Sequence, residues 1–142
     1  MTQIRPLAIC IFSHNGKILV CEGYDPTKGE TFYRPLGGAI EFGEYSIDTI
    51  QRELMEEIGA EVKELVYLGA LENIFTFDGT PGHEIVQVYD GALVDPGLYG
   101  QDVISGHESG ENLPMKVVWK SLDEFGLNKS ILYPDGLLKL LR

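Results

Sequence analysis

The chain has 142 residues, of which 44% are hydrophobic and 23% are charged, an ordinary composition for one globular domain. Its formal net charge of -11 opposes binding to a nucleic-acid duplex, which needs clustered lysine and arginine. The longest apolar run, Leu7 to Phe12, is too short to cross a membrane, and the first residues do not resemble a secretion signal. We therefore expect a single domain over residues 1–142, intact from Met1, located in the cytoplasm and not bound to membranes.

A β-hairpin is predicted at the start of the chain. Asn15-Gly16 lies between two apolar runs and is typical of a two-residue turn, so Ile4–Ser13 and Lys17–Gly23 should pair as antiparallel strands. Leu7 to Phe12 is apolar at every position, which predicts burial of both faces of the first strand.

The two cysteines lie opposite each other in this predicted register. Cys10 and Cys21 would form a hydrogen-bonded pair, whose wide spacing is unfavourable for a disulfide. A cytosolic location disfavours a disulfide further. We interpret both as small buried apolar residues, with a redox role as the alternative.

An irregular region and then a helix follow the hairpin. Tyr24–Glu30 is predicted to be a polar loop, and prolines and glycines make Phe32–Ile40 short and irregular. In Ser46–Ile58, apolar residues recur every three or four positions and form one stripe of an amphipathic helix, at Ile47, Ile50, Leu54 and Ile58. Gly59 is placed to end this helix in a left-handed cap.

The second half of the chain is mainly strand. In chain order we predict one bent strand or two at Val62–Phe77, a turn at Asp78-Gly79, a strand at His83–Val94, a long loop at Asp95–Leu113, a strand at Met115–Trp119, a helical turn opened by Ser121 and a terminal helix at Pro134–Leu141. Strands therefore outnumber helices. This indicates an α/β fold in which helices cover a mixed sheet.

Four glutamates cluster around the predicted helix. Glu44 precedes it, and Glu53, Glu56 and Glu57 lie on it at spacings of three and four, which places them on neighbouring points of one surface. Like charges in that arrangement repel each other by roughly a few tenths of a kcal/mol per pair. A divalent cation would explain the clustering, and carboxylate oxygens suit Mg²⁺ or Mn²⁺. The alternative is an ordinary amphipathic helix with a solvated acidic face.

The segment resembles the Nudix box, G-x5-E-x7-R-E-U-x-E-E-x-G-U, where U is a bulky aliphatic residue. The matching residues are Gly38, Glu44, Arg52, Glu53, Leu54, Glu56, Glu57 and Gly59. The last aliphatic position departs from the pattern because it holds Ala60, and Val62 could supply the missing packing. The order of strands and helix is also similar, so the resemblance implies a Nudix-type α/β/α sandwich with a mixed, largely antiparallel sheet.

The resemblance implies membership of the MutT-like hydrolase superfamily, which cleaves a nucleoside diphosphate linked to another moiety, X. Mg²⁺ is the implied cofactor, with Mn²⁺ as the alternative, and a small nucleotide diphosphate is the implied partner. By position, the resemblance implies metal ligands at Glu53, Glu56, Glu57 and the carbonyl of Gly37 or Gly38. It also implies that Glu53 is the general base and that Arg52 orients the carboxylates. Glu44 would be a ligand or a support for the ligands.

Residues outside the box supply candidates for substrate binding. Arg34 could contact a phosphate, Phe77 could stack on a base, and His83 and Glu84 could line the pocket. Structural alternatives are a surface ion pair for Arg34, core packing for Phe77 and an exposed turn for His83. Some relatives use a glutamate on a downstream loop, and Glu108 and Glu111 are the candidates here, with a solvated loop acid as the alternative for each.

Two other functions remain open. A nucleotide-sensing domain without turnover would share the fold, but such domains often lose box carboxylates and this chain keeps them all. An isopentenyl-diphosphate isomerase would need a catalytic cysteine and an altered box, whereas both cysteines here lie in the first predicted hairpin. Any of these proteins could also form a homodimer. The sequence does not select the substrate, because the proline typical of ADP-ribose hydrolases and the tyrosine typical of dinucleoside-polyphosphate hydrolases are both missing.

Overall fold

The structure, a computed structural model, describes residues 2–107, 114–127 and 129–141. Its elements are β1 (Ile4–His14), β2 (Lys17–Asp25), β3 (Glu30–Ala39), α1 (Ser46–Ile58), β4 (Val62–Phe77), β5 (Thr80–Leu93), a 3-10 helix (Pro96–Gly100), β6 (Val103–His107), β7 (Pro114–Ser121), α2 (Leu122–Gly126) and α3 (Leu137–Leu140). Within the described ranges, every helix is too short or too polar to span a bilayer.

The seven strands form one mixed sheet in the order β4-β5-β1-β3-β2-β7-β6. β1 and β5 run parallel, and the other strand pairs of the described residues are antiparallel. β3 inserts between the two strands of the first hairpin, because its second half pairs with β1 and its first half pairs with β2. The hairpin register therefore holds only next to the turn, where Ser13 faces Ile18 and His14 faces Lys17.

This insertion contradicts the predicted pairing of the two cysteines. Cys10 is aligned with Leu36 and Tyr89, whereas Cys21 is aligned with Arg34 and Val117. Both cysteines are buried thiols outside any disulfide, as the interpretation of them as small apolar residues requires. Burial also raises the pKa of the Cys10 thiol well above its usual range, so this thiol stays protonated.

Helices cover both faces of the sheet. Ile50 and Leu54 of α1 are fully buried on one face, while Phe125 of α2 and Leu137 of α3 pack on the other. Burial of each such side chain contributes about 1.5–3 kcal/mol. β1 lies between these two layers and is buried continuously from Leu7 to Phe12, as predicted. The architecture is the predicted α/β/α sandwich.

Helix α1 occupies the predicted range and ends at the predicted glycine. Gly59 has φ 64°, and its N–H points back to the carbonyls of Leu54 and Met55. The apolar stripe is buried at its centre, but Ile47 in the first turn is 39% exposed. The helix is thus anchored through its middle and C-terminal turns.

Four predicted segments differ from the structure. The loop predicted at Tyr24–Glu30 is shorter, because β2 continues to Asp25 and β3 begins at Glu30. Phe32–Ile40 is predicted to be irregular, but all of this segment except Ile40 belongs to β3, because pairing with β1 and β2 stabilises a stretch that proline and glycine disfavour. The segment 95–113, expected to be a loop, contains the 3-10 helix and β6, which adds to the edge of β7. The terminal helix is shorter than predicted because Gly136, at φ 88°, precedes it in a left-handed conformation.

Candidate functional site

Arg52 lies at the centre of the carboxylate cluster. Its Nε and Nη2 donate to the two carboxylate oxygens of Glu44 at 2.9 and 3.0 Å. Nη1 donates to Glu53 Oε1 at 3.0 Å and lies 3.4 Å from Glu56 Oε2. Nη2 also donates to the Ala39 carbonyl at 3.0 Å. Nη1 also lies 3.5 Å from Glu41 Oε1, so one planar guanidinium joins four carboxylates and ties α1 to the end of β3.

Glu44 is held in its ionised form. Besides Arg52, the Thr49 hydroxyl donates to Glu44 Oε1 at 2.6 Å and the Glu41 N–H donates to the same oxygen at 3.2 Å. The hydrogen bonds from Arg52, followed by the one from Thr49, lower the pKa of Glu44 to about 2. Both carboxylate oxygens are thus engaged by donors, which favours a supporting role for Glu44.

Glu53 is buried against the glycine segment of β3. It is only 5% exposed, and a Cβ atom on Gly38 would lie 2.5 Å from its carboxyl carbon. Glycine at position 38 is therefore required by the close approach of this carboxylate. Burial raises the pKa of Glu53, and the hydrogen bond and charge of Arg52 offset that effect only in part.

The other two box glutamates of the helix point in different directions. Glu57 is 6% exposed, and its Oε1 accepts from the Gly37 N–H at 3.2 Å. Glu56 is exposed at the rim of the cluster. The sequence places the three helix glutamates on neighbouring points of one surface, and the structure buries Glu53 and Glu57 of this set against β3 while Glu56 is exposed. Gly37 itself approaches a protein strand, because a Cβ atom there would strike the Ala8 carbonyl of β1.

A cavity of about 390 Å³ lies between the β2–β3 hairpin and the β4–β5 hairpin. Its lining includes three of the predicted substrate contacts, Arg34, Phe77 and Glu84. His83 does not line it, because side chains alternate along β5 and His83 faces the opposite side of the sheet. The box glutamates do not line the cavity either. Strand β3 nevertheless connects the cavity to the carboxylate cluster, because its first half forms a wall of the cavity and its last residues contact Glu53 and Glu57.

Comparison with known proteins identifies the family. The NUDIX domain matches residues 2–135. The chain belongs to the NUDIX family. A NUDIX hydrolase from Nitrosomonas europaea is similar in structure, with a TM-score of 0.67 and 18% identity over 98% of this chain and 86% of that chain. A MutT NUDIX hydrolase from Burkholderia pseudomallei has a TM-score of 0.62 and 20% sequence identity over 85% of each chain. An ADP compounds hydrolase has a TM-score of 0.62 and 18% sequence identity over 99% of this chain and 72% of that chain.

NUDIX proteins typically use a divalent metal, and the residues of this NUDIX box suit one. Across residues 2–107, 114–127 and 129–141, no three acidic, histidine or cysteine side chains converge closely enough to hold an ion. Arg52 instead lies between the carboxylates of Glu53 and Glu56. The donors are hard carboxylate oxygens beside an exposed rim, and a cation there would relieve the burial of charge at Glu53.

The residues still to be placed lie outside the NUDIX box. Glu108 and Glu111, the candidates on the downstream loop, lie outside the described residues. Sequence reasoning missed Asn73 and Tyr133, which both line the cavity. No local pattern marks either residue, because each reaches the cavity only through long-range packing: Tyr133 donates to Glu30 Oε1 at 2.9 Å.

Proposed function

We propose that this NUDIX protein is a Mg²⁺-dependent hydrolase that cleaves a diphosphate bond in a nucleoside diphosphate linked to another moiety, X. The observation that carries the proposal is the burial of two box carboxylates, Glu53 and Glu57, against Gly37 and Gly38, with Arg52 bridging the cluster. An acidic helix face without a ligand would leave its carboxylates in water instead. Mn²⁺ is the alternative ion.

Glu53 is our candidate for the general base. Its burial raises the pKa of the carboxyl, which makes the carboxylate a better proton acceptor for an attacking water. Arg52 holds Glu53 Oε1 and thereby fixes the direction of the carboxylate. Glu44 holds Arg52 in turn through two hydrogen bonds, so its contribution is to position the guanidinium.

Glu53, Glu56 and Glu57, with the carbonyl of Gly37 or Gly38, would hold the metal. When bound, the ion would polarise phosphate oxygens, lower the pKa of a water and neutralise the leaving group. Arg34 lines the cavity on the strand that leads to Gly37, so we assign it a contact with a phosphate of the substrate. The ADP compounds hydrolase of similar fold is consistent with a nucleoside diphosphate as the substrate class.

Substitution of the proposed base tests the function. Glu53→Gln keeps the size of the side chain but removes the proton acceptor, so we expect turnover to fall roughly 10²–10⁴-fold. Glu61→Gln, at an exposed glutamate outside the cluster, is the matched control and should retain turnover. The assay is phosphate or nucleotide release from a panel of nucleoside triphosphates, ADP-ribose, nucleotide sugars, dinucleoside polyphosphates and capped RNA, with product identification.

Metal dependence is tested in the same assay. EDTA should abolish turnover, and Mg²⁺ should restore it. Turnover of Glu53→Gln at the wild-type rate in Mg²⁺ would contradict the role of Glu53. Binding of nucleotides without release of any product across the whole panel would instead favour a sensor domain.

A further inference from the structure

Each of the two hairpins contributes a phenylalanine ring to the wall of the cavity between them. In the β2–β3 hairpin the Phe32 ring lies across its paired residue Gly23, where a Cβ atom would come within 2.5 Å of the ring. In the β4–β5 hairpin the Phe75 ring lies across its paired residue Gly82 in the same way. Both rings line the cavity. Each ring therefore covers the glycine of its paired strand and forms part of the cavity wall on its own hairpin.

The tips of the hairpins close this space at one end. The Thr27 hydroxyl donates to Asp78 Oδ1 at 2.7 Å and joins the two turns. The Phe32 and Phe77 rings meet edge to face with their centroids 6.0 Å apart. The resulting volume of about 390 Å³ is within the range of small-molecule sites. Flat aromatic walls in such a space suit a planar ligand.

Among the described residues, Asn73 contributes to this cavity lining a buried side-chain oxygen, Oδ1, that accepts no hydrogen bond. Asn73 is 5% exposed. It lines the cavity beside Glu84, its partner across the β4–β5 pair. Glu84 adds carboxylate oxygens, 3.7 Å from Arg5 Nη1. A buried acceptor without a donor is costly, so this arrangement suits a ligand that brings the donors.

We propose that the cavity binds the base of a nucleotide and that Asn73 selects bases that carry an exocyclic amine. The amino group of adenine, cytosine or guanine has two N–H donors, which can serve Asn73 Oδ1 and the neighbouring Glu84. A carbonyl oxygen at the same place, as in uracil or hypoxanthine, would face these acceptors and leave Asn73 unpaired. The inference rests on the proposed function only in taking a nucleotide as the ligand.

Pairs of nucleotides that differ in the amine test this selection. We would titrate GMP against IMP, CMP against UMP, and AMP against purine riboside 5′-monophosphate by calorimetry in EDTA, where no hydrolysis occurs. We expect the amine-bearing member of at least one pair to bind roughly 5- to 100-fold more tightly, the range for pairing one buried acceptor. Equal affinity within every pair, or no binding of any nucleotide, overturns the inference.

Two variants then assign the selection to Asn73. Asn73→Leu has a similar shape without the acceptor and should reduce the preference to less than about twofold, while Asn73→Asp keeps an acceptor and should retain it. Glu72→Gln, on the opposite face of the same strand, is the control and should behave as wild type. If Asn73→Leu does not fold, the smaller Asn73→Ala takes its place in the same titration. A preference that survives loss of the acceptor also overturns the inference.

The proposed function can fail separately. A protein that releases product in Mg²⁺ but shows no preference within the pairs keeps the hydrolase function and loses the base selection. A protein that binds amine-bearing nucleotides selectively but releases no product keeps the base selection and loses the hydrolase function.

Discussion

Gly38→Ala adds one methyl group directly beneath the proposed general base. The new Cβ would lie 2.5 Å from both the carboxyl carbon and Oε1 of Glu53 and 2.7 Å from Oε2. Carbon atoms in ordinary contact are about 3.5 Å apart or more, so the carboxylate must move by about 1 Å. A misplacement of that size at a reacting group can cost about 10²-fold in rate. We therefore expect turnover in Mg²⁺ to fall by about 10²-fold.

The fold should tolerate the same substitution. Gly38 does not have a positive φ, and alanine lowers the entropy of the unfolded chain, which favours folding by about 0.4–1 kcal/mol. The Glu53 side chain is the neighbour that must give way. Circular dichroism and thermal unfolding should thus show a folded protein near wild-type stability, while the rate of product release falls.

Two controls make this prediction specific. Gly100→Ala adds the same methyl group where no atom lies within 4 Å, so turnover should be unchanged. Glu53→Asp in the Gly38→Ala background retracts the carboxylate and should recover part of the rate relative to Gly38→Ala alone. Wild-type turnover of Gly38→Ala, or an equal loss in Gly100→Ala, would refute the proposed contact between the carboxylate and β3 as a requirement for catalysis.

Three further predictions concern the charge cluster and the helix that carries it. Arg52→Lys replaces a five-donor fork by a single ammonium that cannot reproduce the hydrogen bonds to Glu44, Glu53 and the Ala39 carbonyl together. We therefore expect kcat to fall at least about tenfold with thermal stability largely kept. An unchanged kcat would show that orientation by Arg52 is dispensable. Because the folded-state pKa of Glu44 is lowered from 4.5 to about 2, its ionised form stabilises the fold above pH 4.5, and this stabilisation is lost as the pH falls towards 2. The loss of stability in Glu44→Gln, measured by urea unfolding, should therefore be largest near neutral pH and shrink below pH 4.5; a loss that grows on acidification would have the wrong sign. Ile50→Ala in the core should lower the free energy of unfolding by about 2–5 kcal/mol. Ile47→Ala, at a position that is 39% exposed, should lower it less. Equal losses in the two variants would contradict the assigned faces of α1.

Helix α1 was predictable because its information is local. Apolar residues at spacings of three and four fixed its buried side, and Gly59 fixed its end. The spacing of the glutamates along the helix likewise indicated the NUDIX box. What periodicity could not provide was the direction of each carboxylate, since Glu53 and Glu57 turn inward only because β3 presents glycine at positions 37 and 38.

Segments whose conformation depends on distant partners were predicted less well. β3 contains proline and two glycines, so its local pattern favours irregular structure, yet it pairs with β1 and β2 along its length. β6 was expected to be part of a loop for the same reason, because only its pairing with β7 makes it a strand. The insertion of β3 also separated Cys10 from Cys21, which a hairpin considered in isolation would bring together.

Through its resemblance to the Nudix box, the sequence by itself indicated the reaction class that we propose and the residues of the helix that we propose to bind the metal. Both depend on residue types at fixed spacings along one helix, and such spacings are set by local backbone geometry. Only the tertiary structure decided which carboxylates are buried and where the cavity lies. It also decided that Asn73 faces that cavity, because this placement comes from two hairpins, distant in sequence, that meet through their tips and aromatic side chains.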